Sequence, residues 1–150
     1  MVGIFTGSFD PFTIGHKSIA DRALDLCDEL VIGIGYNERK EYMYSLDERI
    51  DAIRRLYKYE LRVRVETYDD LTVDFAKRQN ANFIVRGVRS VKDFEYEREQ
   101  AEINRRLSGI ETILLFAEPG MECVSSTMVK ELMHFGKDVS EYLPADYDNI

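Results

Sequence analysis

Apolar residues along this chain switch repeatedly between a strand-like and a helix-like spacing, and the switching predicts an architecture. Residues 2–6 are a short apolar run ending at Gly7, the pattern of a buried strand. A helical spacing follows, with Ile19, Ala20, Ala23, Leu24 and Cys27 on one face, and residues 30–35 form a second apolar run. Ser45-Leu46-Asp47-Glu48 is a capping box, in which a hydroxyl and a carboxylate satisfy free backbone N–H groups. It opens a helix whose Leu46, Ile50, Ile53 and Leu56 face inward. Leu61, Val63 and Val65 alternate with charged residues, which predicts a third strand near a sheet edge.

Residues 72–80 read as a short helix, 83–86 as a fourth strand and 112–116 as a fifth. Residues 125–135 form a last helix, stopped by Gly136. Between strands four and five, residues 92–107 are helical, but nine of the sixteen are charged. That helix cannot bury a broad apolar face and should line a site, a solvent boundary or a subunit contact.

Five strands alternating with five helices imply a parallel sheet covered on both faces. Right-handed crossovers favour an α/β fold, a Rossmann-like doubly wound five-stranded sheet ordered 3-2-1-4-5. Ligands in such sheets bind beyond the carboxyl ends of the strands, where the winding reverses. Here the reversal lies between strands one and four, so Gly7-Ser8-Phe9-Asp10-Pro11 and Gly87-Val88-Arg89 are expected to face the ligand.

Composition narrows the ligand. The 150 residues show no repeat, linker or low-complexity run, so residues 1–150 read as a single domain. A net charge of −8 argues against nucleic acid as a partner. A small polyanion is still admitted, because a few cations can dominate the potential of a cleft. Cys27 and Cys123 match no metal spacing, and the N-terminus has no signal-peptide pattern, which leads to the expectation of reduced thiols in the cytoplasm. The apolar runs are too short to cross a membrane.

Four segments carry candidate chemistry. In the first, residues 7–16, Gly7 allows close backbone approach, Ser8 adds a hydroxyl and Asp10-Pro11 enforces a turn. Gly15-His16 then opens a helix whose N-terminus favours phosphate. An imidazole there can donate to an α-phosphate oxygen as charge builds. The alternative is a tight turn carrying one exposed histidine. The segment is neither a Walker loop nor G-x-G-x-x-G.

In the second, Arg86-Gly87-Val88-Arg89, two guanidiniums suit a ligand with several phosphates, although Asp93, Glu95 or Glu97 could simply pair with them. The third, Ser125-Ser126-Thr127 with Lys130 one turn later, is either an ordinary helix cap or an anion seat for β- and γ-phosphates. The fourth, Asn37-Glu38-Arg39-Lys40, offers Lys40 as a bridge between a donor and an acceptor phosphate, or else as a solvated loop lysine. Met43 and the tyrosines around it read as packing or a pocket wall, and His134 receives no role.

Taken together, residues 7–16, Arg86–Glu97 (R-G-V-R-S-V-K-D-F-E-Y-E) and Val124–Glu131 (V-S-S-T-M-V-K-E) resemble the bacterial phosphopantetheine adenylyltransferases. These are small members of the T/H-x-G-H nucleotidyltransferase superfamily, and the likeness covers essentially the whole chain. The resemblance implies that ATP and 4′-phosphopantetheine are converted to dephospho-coenzyme A and pyrophosphate. It implies that Ser8 and Lys40 contact the acceptor phosphate, that Arg86 holds phosphopantetheine and that Leu71 and Thr72 flank its arm.

His16, Arg89 and Ser126 would face the triphosphate and Glu97 the adenosine, with Gly7, Phe9, Gly87, Ser125 and Thr127 completing the ATP site. The resemblance also implies Mg²⁺, a homohexamer and coenzyme A as a feedback ligand, with no dedicated protein metal site. Ser8 stands where the family pattern usually has Thr, which keeps the hydroxyl. Rival readings are another superfamily enzyme, with nicotinamide mononucleotide or glycerol phosphate as acceptor, and a non-catalytic nucleotide sensor. The expected mechanism is direct in-line attack with neither a general base nor a covalent intermediate.

Overall fold

A computed structural model describes residues 1–145 of the chain. The elements follow in strict alternation: β1 (Val2–Gly7), α1 (Ile14–Ala23), β2 (Glu29–Gly35), α2 (Leu46–Leu56), β3 (Val63–Tyr68), α3 (Thr72–Arg78), β4 (Phe83–Val88), α4 (Val91–Ser108), β5 (Glu111–Phe116) and α5 (Ser126–His134). A short 3-10 turn, Ser140–Tyr142, comes last among the described residues. The five strands form one parallel sheet ordered β3-β2-β1-β4-β5, the predicted order.

Successive side chains of a strand point to opposite faces, and the core divides accordingly. Phe5, Leu30, Ile32, Ile34 and Val85 join Ile19, Ala20 and Ala23 of α1 and Ile53 of α2 on one face. Ile4, Val31 and Ile84 pack with Phe75 and Ala76 of α3 on the other. This is double winding read from burial. At the seam β1 pairs with β4, Ile4 opposite Ile84 and Phe5 opposite Val85. Tight layering demands Gly33 in β2, since a Cβ there would sit 2.3 Å from the Phe75 ring.

Two helices start as the sequence predicts. Ser45 caps α2 with Glu48 in a reciprocal box, and Ser125 accepts from the Met128 N–H at the start of α5. Gly109, with φ of 76°, ends α4, and Gly136, with φ of 72°, follows the end of α5.

Three expectations shift. Leu61 lies outside β3 and is 93% exposed, because turns closed by Tyr57 and Glu60 carbonyls occupy residues 57–63 and the strand begins at Val63. The pattern that ran to Cys27 ends as helix at Ala23. The inward stripe of α2 includes Arg49, 1% exposed, beside Ala52 and Ile53, whereas Leu46, Ile50 and Leu56 are partly buried against the core. Among the described residues no helix is long and apolar enough to cross a membrane.

Candidate active site

The carboxyl ends of β1 and β4 open onto a cavity of about 400 Å³, at the predicted winding reversal. Its floor is the β1–α1 turn with Gly7, Ser8, Phe9, Gly15 and His16. One wall is the end of β4 with Arg86, Gly87 and Arg89, continued by Asp93, Tyr96 and Glu97 of α4. The opposite wall is the α5 N-terminus with Ser125, Ser126, Thr127 and Lys130, and Lys40 closes a corner. The N-termini of α1 and α5 meet at one space, so two helix dipoles favour negative charge there.

His16 is held from several sides. Thr13 caps α1 and is nearly fully buried. Its backbone N–H donates to His16 Nδ1 at 2.9 Å, while its Oγ1 accepts from the His16 backbone N–H at 3.3 Å. A backbone donor can only meet an unprotonated ring nitrogen, so the proton of the neutral imidazole sits on Nε2. The rings of Phe9 and Phe12 lie 5.1 and 5.5 Å from the imidazole centroid. Desolvation by this aromatic surround, then the charges of Arg86 and Arg89, push the His16 pKa down from 6.5 to about 3. At neutral pH, His16 is therefore an uncharged Nε2–H donor.

The β1–α1 loop turns sharply after β1, with Phe9 in a left-handed conformation (φ 50°) and a cis Asp10–Pro11 bond. A Cβ at Gly7 would meet the Phe9 ring at 3.0 Å, which explains the glycine. Asp10 is buried and accepts the backbone N–H groups of Met43 and Tyr44 at 2.9 and 2.8 Å, with Lys130 Nζ 3.5 Å away. Its carboxylate thus ties the loop before α2, and α5, to the site. Ser126 adds a second tie, its hydroxyl donating to the Pro11 carbonyl at 2.6 Å.

Both arginines meet the carboxylates that the sequence offered as partners. Arg86 Nε bonds both oxygens of Glu97, at 3.1 and 2.8 Å, and its Nη1 donates to the Thr6 carbonyl. Glu97 is 6% exposed, the single buried residue of α4. Arg89 sits 3.5 Å from Asp93 through Nε and 3.5 Å from the Glu122 carbonyl through Nη1. These pairs fix the guanidiniums rather than removing them from the cavity, which both still line.

The hydroxyl cluster divides by role: Ser125 is the cap, Ser126 is pinned to Pro11, and Thr127 remains exposed. The acceptor-side expectations divide too. Ser8 and Lys40 border the main cavity and a wider groove of about 730 Å³ that Thr72 also lines. Thr72 further lines a small space of about 110 Å³ beneath α4, together with Arg86 and Glu97. Leu71 is 61% exposed at the start of α3 and lines none of these cavities.

The carboxylates of the main cavity are already engaged: Asp10 with two amides and Lys130, Asp93 with Arg89, Glu97 with Arg86, and Glu118 with the Ser18 hydroxyl. No group of three or more His, Cys, Asp or Glu among the described residues could hold a metal ion.

Comparison with known proteins decides the family. Residues 4–132 match the cytidylyltransferase-like family. The chain is 57% identical to a phosphopantetheine adenylyltransferase of Bacteroides fragilis over 141 residues, 94% of each chain. It is 45% identical to the enzyme of that name from Porphyromonas gingivalis, over 97% of this chain and 95% of the relative.

This chain belongs to the phosphopantetheine adenylyltransferase family. It is accordingly a nucleotidyltransferase. The fold is shared more widely. A bifunctional NMN adenylyltransferase/ADP ribose pyrophosphatase from Francisella tularensis, solved with AMP and a manganese ion, superposes with a TM-score of 0.69 at 18% identity. The match covers 95% of this chain and 44% of that one. A lipopolysaccharide core biosynthesis protein from Thermoplasma volcanium gives a TM-score of 0.57 at 19% identity, over 79% of this chain and 96% of that one.

The roles of three side chains around this cavity went unread in the sequence: Thr13, although it belongs to the T-x-G-H motif, Asp10 and Arg49. Thr13 stands three residues before His16, the capping-box spacing with histidine in place of Glu, and that spacing was its signal. Asp10 was read as a turn former only, and nothing local marks its carboxylate as a tie to residues over thirty positions away. Arg49 lies three residues after Leu46 and four before Ile53, in the apolar phase of α2, and that phase was its signal.

Proposed function

We propose that this cavity transfers the adenylyl group of ATP to the phosphate of 4′-phosphopantetheine, releasing pyrophosphate and dephospho-coenzyme A. An acceptor phosphate oxygen attacks the α-phosphorus in line. A new P–O bond forms to the acceptor, and the α–β bridging bond breaks, its electron pair leaving with pyrophosphate. A phosphate monoester is largely dianionic at neutral pH, so no base has to remove a proton. Catalysis is positioning plus stabilisation of developing charge.

The observation that carries this reading is the neutral His16, fixed as an Nε2–H donor beside Arg86 and Arg89 at two converging helix N-termini. Such a group donates to an α-phosphate oxygen and has no tendency to take up a proton or act as a nucleophile. Arg89, Thr127 and the α5 N-terminus receive the β- and γ-phosphates. Ser8 and Lys40, on the border between cavity and groove, receive the acceptor phosphate. Arg86, braced by Glu97, holds the acceptor side. The cavity's carboxylates each have a partner, so Mg²⁺ would enter with ATP, where it would offset phosphate charge, and no step is assigned to it.

The same reading makes coenzyme A a feedback ligand, since it shares both the adenylyl and the pantetheine portions of the product. A homohexamer, which the family resemblance implies, is part of the same proposal, and the exposed apolar side chains of Val91, Ile103 and Leu107 on α4 support a subunit contact there.

The test is pyrophosphate release from ATP in the presence of one acceptor at a time. Release dependent on 4′-phosphopantetheine is expected. Equal release with nicotinamide mononucleotide or glycerol phosphate would overturn the acceptor.

A further inference from the structure

Four cations line the cavity, and three of them face a carboxylate: Arg86 with Glu97, Arg89 with Asp93 and Lys130 with Asp10. Lys40 is held differently. Among the ion pairs of the described residues it has none, and its Nζ lies 5.5 Å from the centroid of the Tyr42 ring. A carboxylate partner would cancel much of the ammonium's field. An aromatic face attracts a cation through its quadrupole and leaves the charge whole for a phosphate.

The ring itself is anchored. The Arg49 guanidinium carbon lies 4.1 Å from the same Tyr42 centroid, and Arg49 Nη1 donates to the Ser8 carbonyl at 2.8 Å. Tyr42 Oη accepts the Asn37 N–H at 2.9 Å, and the Asn37 carbonyl accepts the Lys40 N–H at 2.9 Å. The ring is therefore linked to the Lys40 backbone through Asn37 and to the Ser8 backbone through Arg49, and Tyr42 borders both the cavity and the groove.

We propose that Tyr42, braced by Arg49, is a positioning residue that seats the Lys40 ammonium between donor and acceptor phosphates and ties that seat to the Ser8 loop. The inference rests on the proposed role of Lys40. A lysine stem samples many rotamers. The ring restricts that freedom near the site, and the Arg49–Ser8 bond fixes the ring relative to the loop that meets the acceptor.

The experiment compares Tyr42→Phe, Tyr42→Leu, Lys40→Met and the Tyr42→Leu/Lys40→Met pair in steady-state kinetics. It also follows the Lys40 ε-methylene resonance by NMR, assigned by its loss in Lys40→Met. Tyr42→Leu is expected to lower kcat by ~2- to 5-fold, the range of an exposed cation–π contact, with the KM for ATP unchanged. Tyr42→Phe is expected to restore most of that loss. In the Lys40→Met background, Tyr42→Leu is expected to cost nothing further. The lysine resonance is expected upfield in the native enzyme and in Tyr42→Phe, and at its free position in Tyr42→Leu.

Losses that multiply in the pair, or Tyr42→Phe as damaged as Tyr42→Leu, would overturn the proposal. So would a free-position resonance in the native enzyme, a measurement that depends on no variant's folding. Full turnover by Lys40→Met would instead remove the catalytic role assigned to Lys40, while the resonance still decides whether the seat exists.

Discussion

The backbone N–H of Thr13 donates to Nδ1 of His16 over 2.9 Å, so one capping interaction both starts α1 and selects the tautomer of the imidazole that faces the cavity. Removing the imidazole tests the consequence directly. His16→Ala is expected to reduce kcat by roughly 10²–10³, the cost of losing one donor to developing oxyanion charge. Unchanged turnover in that variant would end the assignment.

The pH dependence follows from the same geometry. With its pKa lowered to about 3, His16 keeps one protonation state from pH 5 to 9, so kcat should show no inflection near 6.5 from this residue. Stability should respond instead. Between 6.5 and about 3 the unfolded chain binds a proton that the folded site rejects, so this contribution is intact above pH 6.5 and is lost as the pH falls. Urea titrations from pH 7 to 4 should show a shallower decline in His16→Gln than in the parent enzyme. Parallel curves would contradict the burial argument.

The two arginines should separate in binding measurements. Arg89→Ala is expected to weaken ATP more than phosphopantetheine, and Arg86→Ala the reverse, by calorimetry with each ligand. The opposite ranking would exchange their assignments.

Glu97 supplies a structural counterpart. Glu97→Ala leaves Arg86 without the carboxylate that grips its Nε, and should cost about 2 kcal/mol of stability, below the full value of a buried pair because Arg86 is one-third exposed. A denaturation midpoint equal to wild type would show that the pair contributes nothing net.

Gly33→Ala should destabilise the domain by ~1–3 kcal/mol, since the added Cβ enters the Phe75 ring at 2.3 Å and the α3 face must shift. A thermal melt unchanged within error would mean that the layer yields freely.

Much of the fold and of the site is legible in the sequence. Continuous apolar runs separated by helical spacing dictate a parallel sheet, and the crossover rule leaves few strand orders, so the meeting of His16 with Arg86 and Arg89 followed from topology. What stayed hidden depended on partners distant in sequence. The Asp10 carboxylate reaches Met43, Tyr44 and Lys130, and Arg49 reaches Ser8 and Tyr42. The same limit blurred Ser125, Ser126 and Thr127, whose three hydroxyls look alike in sequence and perform different tasks in the fold. Leu61 misled because the alternation starts two residues ahead of the strand, in a turn.

The seam between β1 and β4 joins segments about eighty residues apart, and the cavity lies at its open end. Closing so long an intervening chain costs conformational entropy that the packed seam has to offset. A partly folded molecule lacking it has no place for a triphosphate. Nucleotide therefore selects fully assembled molecules, and for this enzyme ligand occupancy and structural completeness rise and fall together.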